Sequence, residues 1–333
     1  MRKLIVITLV LAGLWAGYWY VGAQATERAF GAWIDDRQED GWVAEVETLS
    51  TRGFPNRFDT IFTNLELADP ETGLAWTAPE FQILALSYKP HHVIAVWPGV
   101  QTLSTPRQRI EMSGNTARGS LVLSPTPALA LDRSSVVLEG LKFKSTHGWT
   151  AALEHGQLAT RRLEGDQNRH EVYFEATNLT PASSFIQSLG PDDILPPVFE
   201  GVVVKATVDF TKPWDRFAIE DARPQIAHVN LQEFKATWGE LELRLAGAVD
   251  VDENGVPDGN VTVKAQNWRK MVAIAQTSGA LSPDLAPTVT GALEFLAGLS
   301  GNNDTLDIPL RLSGGTMFLG PLPIGKAPVL LIR

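Results

Sequence analysis

The chain has 333 residues, of which 44% are hydrophobic and 20% are charged, a composition typical of a folded protein. Its formal net charge of -10 disfavours contact with phosphate backbones, so we expect no nucleic-acid partner. The absence of cysteine excludes disulfides, thiolate metal sites and a cysteine nucleophile.

The first predicted element is a membrane helix over residues 1–25. Arg2 and Lys3 precede an uncharged stretch from Leu4 to Ala23. Twenty helical residues span about 30 Å, which is the thickness of the hydrocarbon core of a bilayer. Positive charge before the span and acidic residues after it predict a cytoplasmic N-terminus and a periplasmic remainder. We therefore expect a single-pass protein of the bacterial inner membrane.

Two features of this segment bear on whether it is retained. Its C-terminal end is rich in aromatic residues, whose rings favour the membrane–water boundary. These are Trp15, Tyr18, Trp19 and Tyr20. The stretch Ala23-Gln24-Ala25 fits the small-x-small pattern of signal-peptide cleavage, so removal after Ala25 is an alternative. An uncleaved anchor is favoured, because the apolar regions of signal peptides are usually shorter.

Residues 26–41 predict an amphipathic helix. Phe30, Trp33 and Ile34 recur at helical spacing, and Gly41 ends the pattern. The helix could lie on the membrane surface as a stalk or dock on the sheet of its own chain. Docking is favoured, because apolar stripes usually face a core.

From Trp42 onward the apolar residues alternate with a period of two, which predicts strands. We expect a mainly β, β-rich α+β fold with extended, twisted, mostly antiparallel sheets and a few short helices. Its divisions are a β-rich lobe over 42–180, a short helix and linker over 181–197, and a second β-rich lobe with two helices over 198–333.

Within these lobes the clearest strands alternate cleanly. Examples are Ile61 to Leu67 in the first lobe and Leu241 to Leu245 in the second. A hairpin is predicted at Arg161 to His170. Helices are predicted near 180–189, at 268–277 with Asn267 as the N-cap, and at 283–299 with Ser282 as the N-cap.

The sequence contains none of the common catalytic signatures, such as a Gly-x-Ser-x-Gly elbow, a Walker loop or a His-Glu-x-x-His helix. Its six histidines are scattered. We therefore predict no catalytic residues, no cofactor and no enzymatic activity, although folding could still assemble a hydrolase site.

The sharpest local pattern is a calcium-loop-like stretch containing Asp250, Asp252, Asn254 and Asp258. Alternating oxygen ligands followed by a glycine resemble the loop that wraps a hard cation. Val261, however, stands where the bidentate glutamate is required. A hairpin turn with solvated acids is the favoured interpretation.

A resemblance is carried by the motif Gly53-Phe54-Pro55-Asn56-Arg57-Phe58-Asp59, together with later stretches at 76–79 and 88–94 and the aromatic end of the anchor. With these, the chain resembles the alphaproteobacterial envelope family called domain of unknown function 2125 over nearly its whole length. The resemblance implies architecture and location only. The motif itself is expected to be structural, with Phe54 and Phe58 packing and Arg57 facing Asp59 on one strand.

The second half more distantly resembles the C-terminal part of AsmA-like proteins. The matching residues are Trp238 to Leu243, Gly247, 250–259, 308–310 and 320–323. AsmA-like proteins are anchored in the inner membrane, β-rich and implicated in phospholipid movement or outer-membrane assembly. This implies a role in binding or moving lipid, or in maintaining the envelope, with phospholipid or another lipid as the ligand and the membrane as partner. The alternative is a purely structural or interaction protein.

Overall fold

In the computed structural model, which describes residues 1–190, 195–220, 222–300 and 304–332, strands form 51% of the chain and helices 22%. The strand pairings are antiparallel, and a long apolar helix begins the chain. The β-rich fold class with an N-terminal helix is thereby confirmed. The linker predicted over 181–197 includes 191–194, which lie outside the described residues.

The N-terminal helix α1 (Arg2–Glu39) is continuous for 38 residues. It contains no proline, and its length and apolar composition suffice to cross a membrane. The helix crosses the predicted boundary between anchor and amphipathic segment without a break. It ends before Gly41, whose positive φ of 86° turns the chain away from the helix axis.

The chain divides into two compact units, and unit 1 comprises Met1–Pro125 and Val136–Gly148. Its central hairpin pairs β3 with β4, and β1 and β2 both pair with β3 on its other edge. The strands of this unit are β1 (Val43–Glu45), β2 (Thr48–Arg52), β3 (Arg57–Asp69), β4 (Leu74–Leu86), β5 (Lys89–Val96), β6 (Gln101–Ser104), β7 (Arg109–Ser113), β8 (Thr116–Leu123) and most of β9 (Leu131–Ser145).

The core of unit 1 forms where the second half of α1 packs on this sheet. Ile34 of α1 is buried with Phe62 and Leu65 of β3, and Phe30 packs against the same cluster. The rings of Phe30 and Phe62 meet edge to face, 5.2 Å apart. The apolar stripe predicted over 26–41 therefore contacts the sheet, as the docked alternative requires.

Unit 2 comprises Thr126–Ser135 and Trp149–Arg333. Strands β10 to β18 pair successively in chain order, so this part of the chain is an antiparallel meander. The strands are β10 (Thr150–Arg162), β11 (Arg169–Thr180), β12 (Phe199–Phe210), β13 (Ile226–Trp238), β14 (Leu241–Val251), β15 (Pro257–Gln266), β16 (Thr305–Ser313), β17 (Thr316–Leu319) and β18 (Leu322–Lys326).

Within the residues that the structure describes, four further helices interrupt the meander. They are α2 (Ser183–Leu189), α3 (Phe217–Glu220), α4 (Trp268–Thr277) and α5 (Ala286–Ser300). The largest buried cluster lies between α4, α5 and strands β15 to β17, and it includes Trp268, Leu293 and Ile308. Trp268 is only 1% exposed. This helix pair therefore covers one face of the sheet over β14 to β16.

Candidate functional sites

One candidate site is the end of unit 1 formed by residues 53–57 and 87–88, which we call the tip. Gly53 has a φ of +105°, and a Cβ there would lie 2.8 Å from the Cβ of Arg57, so glycine is required. The amide of Arg57 donates to the Gly53 carbonyl at 2.9 Å, and the Ser87 amide donates to the Asn56 carbonyl at 2.9 Å. The Phe54–Pro55 peptide bond is cis. The tip is thus a tight pair of linked turns.

Three aromatic side chains of α1, which we call the aromatic collar, bind this tip. Trp15 donates its indole N–H to the Pro55 carbonyl at 3.0 Å. Trp19 donates to the Arg57 carbonyl at 2.7 Å. The Tyr18 hydroxyl donates to the Ser87 carbonyl at 2.6 Å. The aromatic end of the helix is therefore joined to the family-like motif by hydrogen bonds to its backbone.

Rings from the motif complete the contact. Phe54 meets Trp19 edge to face at 5.5 Å, and Phe58 lies 6.2 Å from Trp19 and 6.5 Å from Tyr18. Gly22 allows this approach, because a Cβ there would lie 2.6 Å from Cζ of Phe58. Phe54 and Phe58 therefore pack against α1. The local sequence did not indicate that α1 would be their partner.

The remaining motif contact is the pair predicted on one strand face. The guanidinium of Arg57 lies 3.0 Å from the carboxylate of Asp59. Both groups retain solvent exposure, so this ion pair adds little to stability. Beyond the tip, the amide of Thr51 donates to the carboxylate of Glu27 at 2.5 Å, which extends the contact of α1 with the sheet. The motif residues thus hold α1 against β2 and β3.

A second candidate site lies on one face of the unit 2 sheet. Directly paired residues on antiparallel strands share a face. Leu158 of β10 pairs with Phe174 of β11, which pairs with Val204 of β12, which pairs with Phe234 of β13. We call these four residues the apolar row. The same register continues through Leu245, Val263 and Ile308 on the next three strands.

The opposite face of this sheet is polar. Cross-strand ion pairs join its strands, and their separations are 2.5 to 2.9 Å: Arg161–Glu171, Arg169–Asp209, Lys205–Glu233 and Lys264–Asp307. Hydrogen bonding from Arg169 lowers the pKa of Asp209. The sheet is thus amphipathic across its width, with charge on one side and aliphatic and aromatic side chains on the other.

The apolar face is covered unevenly. At its β15–β16 end, Val263 and Ile308 belong to the cluster under α4 and α5. At the other end, Leu158 is 49% exposed and Phe174 is 36% exposed, while Val204 and Phe234 are half-buried. Exposed apolar surface on an otherwise covered sheet face is a candidate contact for an apolar ligand.

The structure places the calcium-loop-like residues in the turn between β14 and β15. The carboxylate of Asp252 accepts hydrogen bonds from the amides of Asn254 (2.9 Å) and Val256 (2.8 Å), which closes the turn. Asp250 contacts His228 at 2.7 Å, and Asp258 accepts a hydrogen bond from Ser313 at 2.7 Å. Within the described ranges, no group of three or more His, Cys, Asp or Glu side chains could hold a metal. The calcium loop stays a prediction.

Sequence reasoning gave no role to His170, which is 1% exposed in β11. Its ring packs edge to face on Phe210 at 5.7 Å, and its Nδ1 lies 3.3 Å from the hydroxyl of Thr160. Burial, with the charge of Arg162 as a second cause, lowers the pKa of His170. This histidine is a neutral core residue at one end of the apolar face.

Comparison with known proteins gives one family. A family model described as an uncharacterized protein conserved in bacteria, DUF2125, matches residues 19–328. The matched range begins at Trp19 of the aromatic collar and includes the tip and the apolar row. No curated protein and no solved structure matches the chain.

Proposed function

The chain belongs to the DUF2125 family of uncharacterized proteins conserved in bacteria, and we propose that it is an inner-membrane protein whose periplasmic unit 2 binds a lipid acyl chain. The observation that carries the proposal is the apolar row, a partly exposed strip on an amphipathic sheet in a protein with a candidate membrane span. Membership of this uncharacterized family assigns no function, so the function is argued from the two candidate sites.

The membrane setting rests on α1. Arg2 and Lys3 stand at its N-terminus, and the apolar residues after them are exposed along their length. Lys and Arg are retained on the cytoplasmic side, so the N-terminus faces the cytoplasm and both units lie in the periplasm. A reporter active only in the periplasm, fused to the C-terminus, gives a signal in this topology. A signal from a reporter active only in the cytoplasm would overturn it.

The ligand class follows from the chemistry of the apolar row. Its four side chains are aliphatic or aromatic, and each buried methylene of a ligand contributes about 0.8 kcal/mol. The ion pairs on the opposite face keep that side solvated, which leaves the apolar face as the surface for a hydrocarbon chain. The resemblance of the second half to AsmA-like proteins, which itself stays a prediction, also favours a lipid ligand.

The test uses the full chain in vesicles that contain phosphatidylglycerol with a photoreactive group in its acyl chain. Crosslinked peptides are mapped by mass spectrometry, so lipid around α1 is separated from lipid on unit 2. We expect crosslinks on peptides from β10 to β13.

Adjacent valines on opposite sheet faces provide the matched variants. Val204→Glu puts a carboxylate on the apolar face, while Val203→Glu puts it on the polar face opposite Lys235. We expect the first to lose the β10–β13 crosslinks and the second to keep them. Crosslinks confined to α1, or lost equally in both folded variants, would reject lipid binding and favour a structural or interaction role.

A further inference from the structure

We propose that the tip of unit 1 inserts into the periplasmic leaflet of the membrane, so that this unit meets the lipid directly and is not merely tethered to it. The inference rests on the proposed membrane-spanning role of α1. It assigns a lipid contact to the Gly53–Asp59 motif and to the β4–β5 turn.

The length of α1 sets the depth of the tip in the membrane. With Leu4 at the cytoplasmic boundary of the hydrocarbon core, Trp15 lies about 17 Å and Trp19 about 22 Å along the helix axis. The hydrocarbon core is about 30 Å thick. The hydrogen bonds of these two residues to Pro55 and Arg57 therefore bring the tip below the periplasmic boundary. Tilt of the helix would place the tip deeper still.

The backbone carbonyls of the tip have hydrogen-bond partners within the protein. Where no water is available, as in the hydrocarbon region, backbone polar groups must be satisfied by the protein itself. The carbonyls of Pro55, Arg57 and Ser87 each accept a hydrogen bond from the aromatic collar. The Asn56 carbonyl accepts one from the Ser87 amide. The collar thus supplies donors that water would supply to an ordinary surface turn.

The outward surface of the tip carries exposed aromatic and cationic side chains. Phe54 is 58% exposed and Tyr88 is 56% exposed, and both belong to residue types that favour the membrane interface. Exposed cations border them: Arg52, Arg57 and Lys89. In a protein with net charge -10, this local excess of positive charge is complementary to anionic headgroups. Aromatic rings within a cationic rim match the polarity gradient of a leaflet.

The natural absence of cysteine permits a direct test with the full chain. Single-cysteine variants Phe54→Cys and Tyr88→Cys are labelled with an environment-sensitive fluorophore and reconstituted into phosphatidylethanolamine–phosphatidylglycerol vesicles. Quenching is measured with lipids that carry a spin label on the headgroup or near the top of the acyl chain.

Two further labelled positions calibrate the result. Leu74→Cys is matched in exposure at 46%, and it lies at the other end of β4, about 40 Å from the tip. Val10→Cys lies in the span itself. We expect quenching at 54 and 88 severalfold stronger than at 74, and a blue-shifted emission. Using two tip positions guards against a local disturbance by either substitution.

Quenching at position 10 tests the membrane span of α1, whereas quenching at 54 and 88 relative to 74 tests insertion of the tip. Strong quenching at 10 with quenching at 54 and 88 no greater than at 74 would overturn insertion of the tip and leave the anchor intact. Failure of quenching at 10 would reject the membrane span and with it the inference. Quenching at 54 and 88 by both lipid labels places the tip across the headgroup boundary.

Discussion

Trp19 and Arg57 are joined by a 2.7 Å hydrogen bond from an indole N–H to a main-chain carbonyl, across 38 residues of sequence. The bond links the apolar half of α1 to the only described cis peptide turn, between Phe54 and Pro55. Together with the Trp15 and Tyr18 bonds, it makes α1 and the tip of unit 1 one hydrogen-bonded assembly.

Replacing Trp19 with Phe removes the donor while keeping an aromatic ring. The Arg57 carbonyl then loses this hydrogen bond, which we expect to cost about 0.5–1.5 kcal/mol of unfolding free energy. Thermal or denaturant unfolding of the full chain in detergent micelles measures the change. Tyr20→Phe is the control, because Tyr20 is 64% exposed. Equal stability of Trp19→Phe and the control would contradict a role for the bond.

Gly22 and Gly17 differ in the space around them. A Cβ on Gly22 would collide with the buried ring of Phe58, whereas a Cβ on Gly17 meets nothing within 4 Å. We expect Gly22→Ala to destabilise unit 1 by about 1–3 kcal/mol through overpacking. Gly17→Ala is expected to be neutral or stabilising, because alanine favours the helix. The same unfolding measurement applies, and a neutral Gly22→Ala would show that Phe58 can move aside.

The buried imidazole of His170 predicts a pH dependence of stability. Its pKa is lowered by burial in the fold, so the folded state resists a proton that the unfolded state accepts below about pH 6.5. Because the unfolded state then binds more protons, unfolding free energy falls as the pH drops below that value. His170→Leu should flatten this part of the curve relative to the parent protein. His147→Leu, at an exposed position, should not.

Trp268 and Phe295 provide a matched pair in the helices over the unit 2 sheet. Trp268 is 1% exposed in the cluster with Leu293 and Ile308, whereas Phe295 on α5 is 70% exposed. We expect Trp268→Ala to lower the unfolding free energy by about 3–5 kcal/mol. Phe295→Ala should change it by less than about 0.5 kcal/mol. Similar losses in both variants, measured by denaturant titration, would contradict this account of the cluster.

Local patterns predicted much of the secondary structure. The alternation from Leu241 to Leu245 is confirmed as part of β14, and the helix at 268–277 is confirmed as α4. Strand β13 was not predicted. Its register slips between Leu231 and Phe234, which puts both residues on one face although they are three apart. Such an irregularity breaks the period of two on which strand prediction depends.

Helix ends were less predictable than helix positions. Asn267 is confirmed as the N-cap residue of α4, but its side chain makes no capping hydrogen bond. Its backbone has a φ of 58°, and its side-chain amide donates to the Glu240 carbonyl. The helix predicted from 283 begins at Ala286, one turn into its apolar stretch. End residues are decided by tertiary contacts, which the local pattern does not contain.

The candidate sites were the least predictable. That the motif Gly53–Asp59 is structural stays a prediction, and nothing in the sequence indicated that Trp15 and Trp19 would bind it. These contacts span about forty residues and join a helix to a turn. The apolar row likewise depends on the pairing of four strands, and hence on registers that alternation alone does not fix.

Because α1 is one continuous helix, the contacts along it have a fixed spacing and a fixed rotation about its axis. Each added residue would turn everything beyond it by about 100° and advance it by about 1.5 Å. With Trp19 bound at the tip and Ile34 buried in the sheet, an insertion between them would pull one of the two out of place. Another apolar helix of the same length would therefore replace α1 only if it kept the spacing and rotation of both contacts.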